Sequence, residues 1–206
     1  MKFKIIIVCL FISNCISSQI AKDSLLKIDV TKLVEELELM YGYDQTMREY
    51  LTYGSFDKSE TNRIEQLSDS LRNKEISKNR FVTDSIGIKL LQKYINPKDA
   101  EHTELLIKFT KKYGFPNIKR LKKYYMEEFK DPEFNPLIIF IHSPKKYWEE
   151  LKVLMQNELK NGTINKCEYG YCLWHFSGRV NLQPMLENGY TMVEENGKKI
   201  MKPNCK

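Results

Sequence analysis

Two histidines stand in apolar, ordered contexts and are the side chains best suited to proton transfer. His142 closes the run Leu137-Ile138-Ile139-Phe140-Ile141 just before Ser143-Pro144, and His175 follows Leu173-Trp174. An imidazole titrates near neutrality, so either could act as a general base or a metal ligand. The competing expectation is a core or capping histidine satisfied by backbone groups. His175, or an acid such as Asp44, could work with His142 if the fold brings them near. With Arg48 four residues on, Asp44 also reads as a plain ion pair on a helix surface. Cys167-x4-Cys172-x2-His175 gathers zinc-type donors within nine residues, and His142 could complete four. That spacing fits no common zinc module, and no metal or cofactor is expected. The chain contains no H-E-x-x-H, G-x-S-x-G, phosphate loop or dinucleotide fingerprint to define an enzyme class.

A second kind of chemistry is electrostatic. Lys108 to Met126 holds Lys108, Lys111, Lys112, Lys119, Arg120, Lys122 and Lys123 without one acid, interleaved with Tyr113, Phe115, Tyr124 and Tyr125. Such a surface attracts polyanions, and its aromatics can stack on sugars or bases. Lys111, Lys112, Lys119, Arg120, Lys123 and Tyr124 are therefore candidate binding residues, joined by Gln183. The plainer alternative is two helices with solvated basic faces and inward aromatics.

The elements that must position these residues follow from periodicity. Met1 to Ser18 has Lys2 and Lys4, an apolar run Ile5–Ile12, then small and polar residues, the layout of a secretory signal peptide. Cys15 offers lipid anchoring as the alternative. Removing 1–18 takes two positive charges off the net +6, leaving +4, and leaves Cys167, Cys172 and Cys205. In an oxidising compartment these make one disulfide and one thiol, with the pairing open. Helices are predicted from Thr31 (as N-cap) to Thr52 with Glu35, Glu36 and Glu38 outward. The next opens at Asp57 with a stripe Ile64, Leu67, Leu71, Ile76. Further helices cover Phe81–Tyr94, open at Asn96-Pro97 and at Asn117, and follow Ser143-Pro144. Leu137–Ile141 is open between helix and strand. Asn196-Gly197 predicts a hairpin within Tyr190–Met201. The fold class is mainly α (α+β): residues 19–206 form one compact helical domain with a small C-terminal β-hairpin.

Tyr113-Gly114-Phe115-Pro116, the apolar segment ending in Ile141-His142, and Tyr171-Cys172-Leu173 together resemble an uncharacterised family of bacterial domains. Its motifs are Tyr-Gly-Trp-Pro, Gln-His-Ala-Asp, Tyr-Leu-x-Asp-Arg and Gly-Thr-Gln. The likeness spans about Leu33 to Met201. Ser143-Pro144, Trp174-His175 and Asn181-Leu182-Gln183 depart from the pattern, so an acidic family site would be largely lost here. The resemblance implies a fold and no reaction.

Together these features predict an exported bacterial protein acting as a non-catalytic binding domain. Its partner would be an anionic envelope polymer, a peptide or a protein; nucleic acid is not favoured. The alternative is a hydrolase-like enzyme using His142 with His175 or Asp44.

Overall fold

The computed structural model of the chain describes residues 2–79, 81, 85–195 and 197–205, with side chains from 19 onward. It is mainly helical. The spine is α1 (Lys2–Tyr53), whose inward stripe is Leu26, Val30, Leu33, Val34, Leu37, Met40, Tyr41 and Asp44. Thr31 is an interior residue of α1 rather than its cap. The stripe begins at Leu26 and nothing between 19 and 31 is a glycine or proline, so the helix has no reason to stop. Residues 2–18, expected from the sequence to be a signal peptide, are helical and continuous with the rest of α1; Met1 and the side chains of 1–18, Cys15 included, lie outside the described residues. Among the described residues no helix is long and apolar enough to cross a membrane.

α2 (Lys58–Glu65) and α3 (Asp69–Ile76) form a peripheral pair. Asp57 caps α2 by accepting from the Ser59 N–H, while Glu60 binds Arg63 instead of closing a capping box. The single stripe expected from Ile64 to Ile76 is divided at Gln66–Ser68, and Leu71 is exposed, because α3 buries no residue against the body. α4 (Ser85–Leu90) continues through a loosened turn, Leu91–Ile95, into α5 (Asn96–Tyr113). Asn96 is helical rather than a start signal. Pro97 lacks an N–H and crowds the carbonyl four residues back, so the ladder widens, with the Asn96 N–H reaching Leu91.

α6 (Ile118–Tyr124) starts at Asn117, whose side chain accepts from the Arg120 N–H. Leu137–Ile141 is helical, α7, with Leu137, Ile139 and Phe140 buried. A 3-10 turn at Lys145–Tyr147 leads into α8 (Trp148–Lys160). α9 (Lys166–Phe176), unforeseen in a stretch punctuated by glycine, is opened by a reciprocal capping box between Asn165 and Glu168. Gly170 is needed within it: a Cβ there would lie 2.6 Å from Asn188 Cβ and 2.9 Å from the Pro184 carbonyl. α10 (Gln183–Glu187) packs in that space. The hairpin pairs β1 (Tyr190–Glu195) with β2 (Lys198–Pro203), antiparallel, with Tyr190 opposite Pro203 and Glu195 opposite Lys198. Asn196 lies outside the described residues.

The loop between α5 and α6 is the tightest junction. The Phe115 N–H donates to Glu158 Oε2 at 2.7 Å, and the Thr163 hydroxyl donates to the same oxygen at 2.6 Å. Arg120 donates to the carbonyls of Phe115 (2.7 Å) and Tyr113 (2.6 Å) and to Asp23 of α1 (2.6 Å). Gly114 turns the chain at φ 72°, where a Cβ would press on Arg120, Thr163 and Glu158 together. The Tyr-Gly-Phe-Pro motif is thus a structural latch.

Cys167 is bonded to Cys205, and Cys172 is a fully buried thiol. Loop-closure entropy over a separation of 38 residues is worth about 4 kcal/mol. Cys205→Ser should lower the thermal midpoint and raise amide exchange in the hairpin while leaving the exchange of α1 and α5 intact. Unchanged hairpin exchange would show that the bond does not hold this element.

Candidate functional site

Asp44 lies on the inward stripe of α1, 4% exposed. A buried carboxylate has to find donors. His142, the C-cap of α7, donates Nδ1–H to it, 2.9 Å from each oxygen. Arg48 Nε donates at 2.9 Å and Gln45 Nε2 at 2.7 Å. Arg48 then spans to Asp99 of α5 through Nη2, at 2.8 and 2.7 Å. The Asp44–Arg48 pair expected at the surface is therefore the inner half of a network joining α1, α5 and α7. Burial opposes the Asp44 carboxylate. The hydrogen bond and charge from His142, with Arg48 beyond, outweigh that and hold it below the usual carboxylate range. Asp99 shifts the other way: burial pushes it up, and Arg48 offsets only part of the cost.

A carboxylate that only accepts fixes the Nδ1–H tautomer of His142, so a neutral ring carries its lone pair on Nε2. His142 is a quarter exposed, enough for that nitrogen to meet a solute. The arrangement can support proton abstraction.

His175 sits on α9 against the rings of Tyr171 and Trp174. Burial, with the charges of Arg179 and His142 nearby, pushes it down to about 4, so it is neutral near pH 7. His175 Nε2, Trp174 Nε1 and Ser143 Oγ are buried with no partner among the described residues. Gln183 does not join this group: it is exposed on α10 and donates to Glu187 at 2.9 Å. Nor can Cys167 join Cys172 as a second thiolate for a metal, because it is oxidised to Cys205.

The basic stretch is not a continuous free surface. Lys111 pairs with Glu150 at 2.7 Å, and Lys112 with Asp29 at 2.9 Å and with the Tyr113 hydroxyl. Arg120 is committed to the latch. Lys123 lies 4.0 Å from Asp23 and over the Tyr124 ring, and Tyr124 itself packs against the core. The acids come from helices remote in sequence, which is why a run without acids looked unpaired. Lys119 and Lys122 differ. Both are exposed, with no carboxylate partner among the described residues, and Lys122 lies over the Phe129 ring at 5.6 Å. They edge a groove of about 750 Å³ whose walls include Asn117, Asn135, Asn165 and Glu168.

Sequence reasoning passed over His102, Glu158 and Glu38, all buried. His102 shares the α5 face of Asp99, Leu106 and Tyr113, and stacks edge-on to Tyr43. Glu158 continues the stripe Leu151, Leu154, Met155. Glu38 is four residues from Val34 and three from Tyr41, on the inward side rather than the outward one assigned to it. A carboxylate at an apolar stripe position was the signal. Comparison with protein-family models, curated proteins and solved structures found no match to this chain.

His175 is the more strongly shifted of two histidines that burial pushes down, His102 being the other, and its part of the pH behaviour follows from that shift. Unfolded, it binds a proton near pH 6.5; folded, only near 4. Between those values the unfolded state holds more protons, so stability is full above about pH 6.5 and falls as pH drops toward 4. The thermal midpoint measured from pH 8 to 4 should fall across that window, and His175→Gln should flatten the fall. An identical slope in the variant would remove His175 as the cause.

Proposed function

We propose that this protein is an exported, non-catalytic binding domain whose groove between α6 and α9 takes an anionic, hydroxyl-bearing polymer of the cell envelope. The observation that carries the reading is the pair Lys119 and Lys122 at the edge of that groove, which have no carboxylate partner among the described residues while Lys111 and Lys112 are neutralised by acids of other helices. Two unpaired ammonium groups supply attraction for carboxylate or phosphate, and the amides of Asn117, Asn135 and Asn165 supply donors and acceptors for hydroxyls. Export draws support from the layout of residues 1–18 and from the Cys167–Cys205 bond, which persists in oxidising compartments. Kinship with the bacterial family sharing the Tyr-Gly-Trp-Pro and Gln-His motifs belongs to the same proposal.

Lys119→Glu/Lys122→Glu should weaken binding of polygalacturonate at least tenfold by calorimetry, with the thermal midpoint lowered by no more than loss of the Lys122–Phe129 ring contact, because neither lysine holds an acid among the described residues. The wild-type affinity should fall as salt rises. Equal affinity in the double variant, or no saturable binding by the wild type to polygalacturonate or polyphosphate, would overturn the reading.

The Asp44–His142 contact favours a second reading, a hydrolase in which His142 Nε2 is the general base. It expects turnover of p-nitrophenyl esters above the buffer rate, lost in His142→Gln and reduced in Asp44→Asn, which disturbs the tautomer. Turnover equal in wild type and His142→Gln would dismiss it.

A further inference from the structure

Glu38 borders a small, largely apolar cleft of about 330 Å³ beside α1, whose walls include Leu39, Tyr41, Gly42, Tyr43 and Asp131. The residue is nine-tenths buried, at 9% exposure. One carboxylate oxygen, Oε1, accepts the Lys130 backbone N–H; the other, Oε2, is buried and has no partner among the described residues. An anionic oxygen left unmatched away from water is costly, and it asks for a donor. Charge around the cleft is negative on balance: Glu35, Glu38 and Asp131 against Lys130. Tyr41 and Tyr43 are fixed by hydroxyl bonds to the carbonyls of Glu133 and Tyr94, so their rings are held in place. Leu39 presents an exposed apolar flank.

We propose that this cleft is a binding site for a primary alkylammonium group, with an N–H of the ammonium donating to Glu38 Oε2 and its alkyl stem lying against Leu39 and the tyrosine rings. A carboxylate with an open acceptor selects a cation that can donate, an aromatic wall favours a cation, and an apolar wall favours a methylene chain. A primary ammonium satisfies all three, whereas a quaternary ammonium has no N–H to give. Free diamines and the side chain of lysine share this chemistry. The site is independent of the groove beside Lys119 and Lys122 and of the Asp44–His142 network.

Gly42 supplies a clean test. It lines the cleft, it is helical, and a Cβ built there meets nothing within 4 Å, so a side chain can begin there without a clash at its first atom. Titration of the full chain with n-butylammonium chloride, followed by calorimetry or chemical-shift changes, should show saturable binding. Tetramethylammonium at the same ionic strength should not bind. Glu38→Gln keeps the shape and the Lys130 contact but removes the charge, and should weaken n-butylammonium at least tenfold; Gly42→Leu should abolish binding. Should Glu38→Gln fail to fold by circular dichroism, Gly42→Leu decides the question. Cadaverine and Nα-acetyl-lysine amide, titrated in parallel, distinguish a free amine from a lysine side chain, the tighter one naming the source. No saturable binding of n-butylammonium, or undiminished binding in a folded Gly42→Leu protein, would overturn the proposal.

Discussion

The carboxylate of Glu158, at 2% exposure, sets the constraint on which the helical body depends. A charge so deeply removed from water persists only if its oxygens are matched, and the nearest donors are the Phe115 N–H and the Thr163 hydroxyl. Meeting them fixes the chain between α5 and α6, which requires the positive φ of Gly114 and brings the carbonyls of Tyr113 and Phe115 to Arg120. Arg120 then reaches Asp23, so one buried acid on α8 decides where α1, α5 and α6 lie. Lys22, 3.9 Å from the other Glu158 oxygen, adds a second tie to α1. Apolar packing of Leu26 through Tyr41 supplies most of the driving force, at about 1.5–3 kcal/mol for each large side chain fully buried. That force is non-directional; the polar latch gives it a register.

Asp44, on α1 and 21 residues beyond Asp23, repeats the device of a buried carboxylate matched by donors. Its donors come from α1 itself and from α7, and Arg48 extends the network to α5. The result is a histidine held by Nδ1, with no partner for Nε2 among the described residues, near the surface yet anchored in the core. Such a geometry arises as a by-product of burying a carboxylate, and it is also the geometry that proton-transfer sites use. The basic groove at Lys119 and Lys122 has a different origin. Neither residue is needed by the latch, although both share the seven-residue helix that carries Arg120.

The coexistence of neutralised and free lysines in one short segment follows from geometry rather than composition. α6 presents Arg120 to α1 and to the turn before it. Lys119 and Lys122 project away from the acids of α1 and toward the groove by α9. Charge runs in sequence therefore say little about charge on the surface, because the partners of Lys111, Lys112 and Arg120 are 39, 83 and 97 residues away.

The sequence by itself determined the features governed by local physics: the helical class, the apolar stripe of α1 from Leu33 to Tyr41, the Asn117 and Asp57 caps, the end of α5 at Gly114, and the C-terminal hairpin around Gly197. Each depends on periodicity, capping or backbone freedom within a few residues. It also singled out Asp44 and His142 as residues whose types could work together, without showing that they touch. Tertiary structure alone decided that contact, the choice of Cys205 over Cys172 as partner to Cys167, the burial of Glu38, His102 and Glu158, and the separation of Gln183 from His142. It also overruled two local signals: the helix start at Thr31 was absorbed into a longer stripe, and the one at Asn96 was bridged by a widened turn. A carboxylate reads as solvated until a donor from a distant helix is placed beside it, and only packing places that donor.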